Sequence, residues 1–420
     1  MTSTPSALDA AGGAATNQAF VARLPILDAN RATLAYELAF RPLQPDSRSA
    51  SPDFATARVV GDAVLGVGLD ALTNGHKAMV PVSRRLLLEG VPEVLPPDRA
   101  VLLLAADIEA DTEILNACRH FKREGFELAI DDFVLNAWTR DLVPLATYLK
   151  VNFPALDREA RAAIVAGRGA RGPKIIAAGV DRMETFEQAG DERFDLFQGY
   201  FFGKPVLQSA RTMPAQQVGN LRLLQALNKP DISVSDLEDL IKHDVTLTYR
   251  VLRTVNSAAF AQRRTIESIR QALMLLGRDT IRRWASLWAL SSLGGGLESE
   301  LVVMSTVRAR ACELLGTSSP EESAQGFFVG MCSLLDAMLG VPMTEAIAEL
   351  PLATDVREAL LGEPNAHRLR LEVVTACETG DWADAIETAA GIGVNPDALR
   401  SAHSDALRWA HDLHQLGSTA

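Results

Sequence analysis

Six polar side chains in the first half of the chain have the chemistry of a metal-dependent phosphoryl-transfer site. Carboxylates bind Mg²⁺ and Mn²⁺ through oxygen, and such ions polarise phosphoryl oxygens and activate water. Lysine and arginine side chains contact phosphate groups. Spacing alone leaves a second interpretation open, in which these are ordinary polar residues that cap strands. The six residues are Glu37, Arg41, Asp131, Asp132, Lys150 and Gln198.

Short apolar stretches that are typical of β-strands carry these residues or directly precede them. Residues 33–41 alternate between apolar and polar side chains, so Glu37 and Arg41 share one face. Helix-like stretches at 111–124 and 182–189 separate some of the strands. Repeated βα units with buried strands predict a mostly parallel sheet, and seven or so strands in about 190 residues fit a (β/α) barrel. The further strands are predicted at 78–82, 100–105, 128–133, 148–152, 174–178 and 196–201.

After Pro205 the pattern becomes helical. Apolar residues between 237 and 255 recur at helical spacing, and Ser233 or Ser235 is predicted to cap the helix that contains them. Further helices are predicted at 266–276, 280–290, 323–339 and 356–361. We therefore predict a disordered tail at 1–17, a barrel domain at 18–206 and an all-α domain at 207–420, with the boundary near residues 206–213.

Charge and composition restrict the classes of partner. The formal net charge is −12, and an acidic chain binds nucleic acid poorly except through a local basic patch. Residues 253–283 contain seven arginines, which form either such a patch or a solvated helix face; we favour the latter and do not expect nucleic acid as a partner. These are Arg253, Arg263, Arg264, Arg270, Arg278, Arg282 and Arg283.

Targeting and redox signals in the sequence are few. No apolar run is long enough to span a membrane, and the first residues lack the pattern of a targeting signal. The four cysteines are far apart and form no CxxC motif. We therefore expect a cytoplasmic protein with reduced thiols.

An ordered set of motifs resembles the EAL domain, the bacterial cyclic-di-GMP phosphodiesterase module, over residues 18–206. That resemblance implies a barrel mouth that holds two Mg²⁺ or Mn²⁺ ions. The resemblance makes Glu37 the first metal ligand, and it assigns Arg41 and Gln198 to binding of the nucleotide. Asp131 and Asp132 are the acidic pair, and Lys150 is the catalytic lysine. The motifs lie at residues 37–41 (ELAFR), 131–133 (DDF), 149–152 (LKVN), 177–181 (AAGVD) and 198–205 (QGYFFGKP).

Several positions depart from the family pattern. Pro81 replaces an asparagine ligand, Ala178 replaces a glutamate, and residues 100–106 (AVLLLAA) contain no carboxylate in any register. Asn152 replaces an aspartate, and residues 134–138 replace a glycine-rich loop. Two divalent ions would bring four positive charges, and only three carboxylates remain at the mouth. We therefore expect no bound metal, and Mg²⁺ or Mn²⁺ would be required only if the domain is active. Alternatively, these residues only stabilise the fold, and Glu37 and Arg41 then pair with each other or with Lys150 and Asp131.

The helical half resembles the HDOD domain, a relative of the HD phosphohydrolases that lacks their metal site. Where the histidine–aspartate pair of an HD enzyme would fall, this chain has Ser333 and Leu334. The pairs at 243–244 and 411–412 are interpreted as surface or helix-end residues, and Asn256 as a helix cap. The matching stretches lie at 224–231, 240–247, 251–258, 266–272, 275–277 and 328–336.

The sequence as a whole predicts a signalling protein with a degenerate EAL-like barrel followed by an HDOD domain. We expect it to act without catalysis, by binding other signalling proteins through the HDOD domain in cyclic-di-GMP-linked control of motility, biofilm or virulence. Two alternatives remain open. One is a weak metal-dependent phosphodiesterase that uses Glu37, Asp131, Asp132 and Lys150, and the other is a cyclic-di-GMP receptor without catalysis.

Overall fold

The structure is a computed structural model, and the predicted tail and the predicted domain boundary lie outside the residues that it describes. Within strand β2, the side chain of Arg41 is also outside that set. The described residues are 19–42, 68–136, 139–169, 171–203, 215–227, 232–256, 266–293, 299–316, 319–348, 350 and 352–418.

Eight strands close into a barrel, as the βα pattern predicts. Strand β1 runs antiparallel to both of its neighbours, β2 and β8, and all other adjacent pairs are parallel. The strands are β1 (Ala19–Leu27), β2 (Thr33–Pro42), β3 (Lys77–Val82), β4 (Ala100–Leu104), β5 (Glu127–Ile130), β6 (Tyr148–Asn152), β7 (Lys174–Ala178) and β8 (Leu196–Gln198).

The strands differ from the sequence prediction by more than one residue at three places. Strand β1 was not predicted, because Pro25 interrupts a run that otherwise alternates weakly, and proline argues against a strand assignment. Strand β5 ends at Ile130, so Asp131 and Asp132 follow the strand instead of ending it. Strand β8 ends at Gln198, and a 3₁₀ turn over Phe201–Gly203 replaces the predicted continuation.

The interior of the barrel contains a small apolar core that fixes which side chains reach the mouth. Met79, Leu103, Ala129 and Ile176 belong to this core, together with side chains from the other strands. Because side chains alternate along a strand, residues two positions further along face the same interior. They form the mouth layer: Glu37, Pro81, Ala105, Asp131, Lys150, Ala178 and Gln198.

Five helices are described around the barrel, including the two that the sequence predicts. Helix α3 begins where the Asp111 carboxylate accepts a hydrogen bond from the backbone N–H of Ile114 at 2.9 Å, which caps its first turn. The helices are α1 (Leu69–Thr73), α2 (Arg84–Leu88), α3 (Thr112–Arg123), α4 (Arg158–Gly167) and α5 (Met183–Asp191).

The C-terminal half is all helical where the structure describes it, as predicted. Ser233 caps α7 in a reciprocal arrangement with Asp236. The helices are α6 (Ala215–Leu227), α7 (Val234–His243), α8 (Val245–Val255), α9 (Ile269–Leu276), α10 (Arg278–Ser291), α11 (Glu300–Leu314), α12 (Pro320–Cys332), α13 (Leu335–Leu339), α14 (Met343–Ala346), α15 (Thr354–Leu361), α16 (Ala366–Thr379), α17 (Trp382–Gly391) and α18 (Pro396–Ser418). No helix of the described residues is long and apolar enough to cross a bilayer.

The predicted single helix at 323–339 is wrong, because the chain breaks between α12 and α13. The Ser333 hydroxyl donates to the carbonyl of Gly330 at 2.8 Å, which ends α12 by a local side-chain bond. Gly330 also faces the α11 backbone so closely that a Cβ would lie 2.3 Å from the carbonyl carbon of Arg308. Because Gly330 has no side chain, the two helices approach closely enough for Arg308 to reach Ser333.

The helical domain covers the outer face of strands β1 and β2. Phe20 stacks on Trp382 with 4.8 Å between ring centroids. The Nε2 atom of His403 lies 3.1 Å from the carbonyl oxygen of Val21. A carboxylate oxygen of Glu300 accepts a hydrogen bond from the Tyr36 hydroxyl at 2.5 Å. The two predicted domains therefore share a buried interface.

We expect Glu300→Gln to raise the melting temperature, and to raise it more at pH 8 than at pH 5. Burial raises the pKa of Glu300, so ionisation costs more in the folded chain than in the unfolded chain. Folded stability therefore falls as pH rises from the ordinary glutamate pKa through the raised value. Glutamine keeps an oxygen acceptor for Tyr36 and Thr33 and does not titrate. Calorimetric melting at the two pH values measures the difference; an equal gain from the exposed Glu184→Gln would contradict this account.

Candidate functional site

Two of the predicted site residues contact the ammonium group of Lys150, and a third contacts one of these two. Its Nζ atom lies 2.7 Å from a carboxylate oxygen of Glu37 and 3.0 Å from one of Asp131. The Gln198 amide donates to the same Glu37 oxygen at 2.7 Å. Strands β2, β6 and β8 and the turn after β5 bring these four side chains together at the mouth of the barrel. The pairing of Glu37 with Lys150 is the one expected if Glu37 only stabilises the fold.

The electrostatics of this cluster favour a charged lysine. Burial disfavours the ammonium, but the carboxylates of Glu37 and Asp131 outweigh it, so the pKa of Lys150 is raised. The stability from this pairing is present below the ordinary lysine pKa and is lost as pH rises through the raised value. At neutral pH the ammonium therefore occupies the space between the two carboxylates.

The other positions of the mouth layer provide no side-chain oxygen. Pro81 lies on β3, Ala105 follows β4, and Ala178 ends β7. Asn152 is exposed at the end of β6, two residues after Lys150. In the part of the chain that the structure describes, no group of three or more His, Cys, Asp and Glu side chains has the placement to hold a metal ion.

The acidic pair is divided between two environments. Asp131 contacts Lys150, whereas Asp132 is exposed and has a left-handed backbone with a φ of 38°. The backbone N–H of Asp132 donates to the Asp131 carboxylate at 2.9 Å, which orients that carboxylate. The next N–H, that of Phe133, donates to the carbonyl of Lys150 at 2.7 Å. The DDF motif thus positions Asp131 against the lysine.

The residues that follow Gln198 connect the mouth to the helical domain, which sequence reasoning missed. Gly199 has a φ of 150°, and a Cβ there would lie 2.1 Å from the carbonyl oxygen of Val180. The hydroxyl of Tyr200 donates to the carbonyl of Glu378 at 2.8 Å. Burial raises the pKa of Tyr200, so this hydroxyl stays protonated as a donor. The QGY motif identified the segment, but no sequence signal pointed to Glu378.

A buried ion pair lies next to Ser333, where an HD enzyme would have its histidine–aspartate pair. Arg308 donates to both carboxylate oxygens of Glu378 at 2.7 to 3.0 Å. It also donates to the Ser333 hydroxyl at 3.2 Å. Each of the two charged side chains is only 10% exposed. A guanidinium group therefore contacts the position at which an HD phosphohydrolase would have a metal ligand.

The other histidine–aspartate pairs have local roles. His243 is exposed, and its Nδ1 atom lies 2.6 Å from the carbonyl oxygen of Asp239. The Asp244 carboxylate caps α8 by accepting from the Leu247 N–H at 3.0 Å. Burial lowers the pKa of His411, which is half-buried in α18 beside the exposed Asp412.

Asn256 is the C-terminal cap of α8, as predicted. Its amide nitrogen donates to the carbonyls of Leu252 and Ile266 at 2.7 and 2.8 Å, and its amide oxygen accepts from the Ile266 N–H at 2.7 Å. These bonds hold together the two ends of the segment between α8 and α9. Asn256 therefore has a structural explanation that requires no ligand.

The arginines of residues 253–283 make contacts within the fold wherever they are described. Arg270 pairs with the buried Glu238, and Arg283 pairs with Glu313. Arg263 and Arg264 lie outside the described residues. The others are Arg253 over the ring of Tyr249, Arg278 beside Asp279, and Arg282 over the ring of Phe328. These interactions use much of the charge that a nucleic-acid surface would need.

Comparison with known proteins finds relatives of nearly full length. The HDOD domain family matches residues 213–352. The chain is 33% identical over 405 residues to YuxH of Bacillus subtilis, covering 94% of this chain and 98% of that protein. It is 30% identical over 407 residues to the cyclic di-GMP phosphodiesterase CdgJ of Vibrio cholerae, covering 94% and 93%. An EAL domain protein from Listeria monocytogenes aligns with a TM-score of 0.37 and 17% identity, covering 49% of this chain and 92% of that one.

Proposed function

The chain belongs to the family of bacterial signalling proteins that join an EAL-like barrel to an HDOD domain, and we propose that it is a member whose barrel does not hydrolyse cyclic-di-GMP. The observation that carries this proposal is the lack of a side-chain oxygen at three positions of the mouth layer, which are Pro81, Ala105 and Ala178. The Lys150 ammonium lies between Glu37 and Asp131, two of the carboxylates that a metal pair would need.

Charge and coordination support the proposal. Two divalent ions bring four positive charges and need near-octahedral oxygen ligands with bridging carboxylates. Lys150 already neutralises one charge of the mouth, and three positions of the layer are Pro81, Ala105 and Ala178. These residues do not fit a pair of Mg²⁺ or Mn²⁺ ions, and no reaction step is assigned to the barrel.

The output of such a protein is binding of other signalling proteins through the helical domain, in cyclic-di-GMP-linked control of motility, biofilm or virulence. Exposed apolar side chains on α8 and α9 support a protein contact there, since exposed apolar patches commonly mark interaction surfaces. The residues are Tyr249, Met274 and Leu275, with exposed fractions of 55%, 74% and 44%.

A second candidate is a weak metal-dependent phosphodiesterase. It is favoured by the relative from Vibrio cholerae, which is named a cyclic di-GMP phosphodiesterase and aligns over nearly the whole chain. This candidate requires a metal ion to displace Lys150 from Glu37 and Asp131. A third candidate, a receptor that binds the nucleotide without cleaving it, would use Arg41 and Gln198.

Hydrolysis and binding assays on the full chain separate the three candidates. We expect no turnover of cyclic-di-GMP with Mg²⁺ or Mn²⁺, beside an active EAL enzyme as the positive control. Turnover that is abolished by Glu37→Ala or Asp131→Asn would overturn the proposal in favour of the phosphodiesterase. Calorimetric heat without turnover, lost in Arg41→Ala, would identify the receptor instead.

A further inference from the structure

One short segment, residues 198–203, contacts both the barrel mouth and the helical domain. At its start, the Gln198 amide donates to the Glu37 carboxylate at 2.7 Å. In its middle, the Tyr200 hydroxyl donates to the carbonyl of Glu378 at 2.8 Å. At its end, Gly203 lies against the side chain of Leu334, 4.0 Å from the place of a Cβ. We call residues 198–203 the connecting segment.

The connecting segment has little freedom to absorb a displacement. Its backbone passes so close to Val180 that a Cβ at Gly199 would lie 2.1 Å from the Val180 carbonyl oxygen. The same carbonyl accepts a hydrogen bond from the Phe201 N–H at 3.3 Å. The Tyr200 N–H donates to the Asp181 carboxylate at 3.0 Å. A backbone restrained at successive residues transmits movement at one end to the other.

Both contacts with the helical domain converge on one buried cluster. Glu378 accepts from Tyr200 through its carbonyl and holds Arg308 through its carboxylate. Arg308 also donates to Ser333, the neighbour of the Leu334 that meets Gly203. A buried ion pair has few alternative arrangements, because a displaced charge loses its partner without regaining water.

We propose that the connecting segment couples the barrel mouth to the helical domain. A phosphate diester that rearranges the contacts of Glu37 releases Gln198 and so loosens the cluster of Arg308, Ser333 and Glu378. The two arrangements are Gln198 bound to Glu37 and Gln198 turned away. This inference rests on the proposed function only in treating the helical domain as the output. Coupling is reciprocal, so a partner on the helical domain changes ligand binding at the mouth by the same factor.

Hydrogen exchange on the full chain, followed by mass spectrometry, tests the coupling without any ligand. Gln198→Met removes the bond to Glu37, and we expect exchange at residues 330–336 and 372–380 to rise about fivefold or more, the lower range of measured couplings. Helix α4, a barrel element outside the connecting segment, should not change. Gln188→Met is the matched control, because its amide donates to Glu192 at 2.9 Å on α5. If Gln198→Met does not fold, Glu37→Gln weakens the same bond from its other side.

Tyr200→Phe shows whether the effect passes through the connecting segment. In that background, Gln198→Met should add no further exchange at residues 372–380. Tyr148→Phe, which removes a hydroxyl bonded to Glu127 at 3.3 Å in the barrel interior, should leave the full effect of Gln198→Met. Changes confined to barrel peptides, or equal in the Tyr200→Phe background, would overturn the coupling. Turnover of cyclic-di-GMP would overturn only the proposed function, so the two failures are distinguishable.

Discussion

Replacing Arg308 with methionine is expected to lower the free energy of unfolding by about 3–5 kcal/mol, which is typical when one partner of a buried ion pair is removed. Methionine leaves the Glu378 carboxylate buried without its bidentate partner, and it also removes a donor to Ser333. Urea unfolding followed by circular dichroism measures the loss.

Two further variants test the cause of this loss. Arg85 pairs with Glu89 at 2.7 Å on an exposed helix face, and Arg85→Met should cost about 0.5 kcal/mol or less. Adding Glu378→Gln to Arg308→Met should restore much of the stability, since the unpaired buried charge is then gone. An Arg308→Met chain that unfolds within about 1 kcal/mol of the natural chain would contradict the role assigned to the pair.

In both domains a basic side chain lies where a metal-dependent relative would bind its metal. In the barrel, Lys150 lies between two carboxylates that the EAL resemblance assigns to metal binding. In the helical domain, Arg308 contacts Ser333, where an HD phosphohydrolase would have a metal ligand. A fixed ammonium or guanidinium satisfies a buried carboxylate as a metal ion would, but it offers no open coordination position for water or phosphate. In each domain a basic side chain therefore neutralises a carboxylate of the site.

Alternating patterns in the sequence predicted most of the barrel, because seven of its strands are short apolar runs bounded by turns. The alternation placed Glu37 on one strand face, and the apolar runs placed Asp131 and Lys150 at strand ends, which parallel strands bring together. Strand β1 was missed because Pro25 obscures its pattern. The assignment of Arg41 as a ligand-binding residue stays a prediction, since its side chain lies outside the described residues.

Contacts between distant helices could not be predicted. Helical periodicity does not show which helices face each other, and α11 is buried on nearly all of its surface. Arg308 and Glu378 are 70 residues apart, and their pairing depends on the three-dimensional packing. The end of α12 also depends on packing, because Gly330 allows a close approach to Arg308 that no local pattern reveals. The connecting segment was recognisable as a motif, whereas its partner Glu378 was not.

Lys150→Met should give the barrel a response to Mn²⁺ that the natural chain lacks. Methionine leaves Glu37 and Asp131 facing each other without the ammonium, at a cost of roughly 3 kcal/mol of stability. A divalent cation that binds these carboxylates only in the folded state would recover about 2.7 kcal/mol at a concentration one hundred times its dissociation constant. Thermal melting with and without Mn²⁺ measures the response.

The contrast between the natural chain and two lysine variants makes this prediction specific to the mouth. Lys77 pairs with Glu127 at 2.8 Å where β3 and β5 begin, at the end of the barrel opposite the mouth. Lys77→Met therefore removes a barrel lysine from a carboxylate without opening the mouth. We expect Mn²⁺ to raise the melting temperature of Lys150→Met and to leave the natural chain and Lys77→Met unchanged. If Mn²⁺ stabilises the natural chain as strongly as Lys150→Met, then Lys150 does not keep a cation from Glu37 and Asp131. The natural mouth would then bind a divalent cation, which would contradict the proposal that its residues do not fit one.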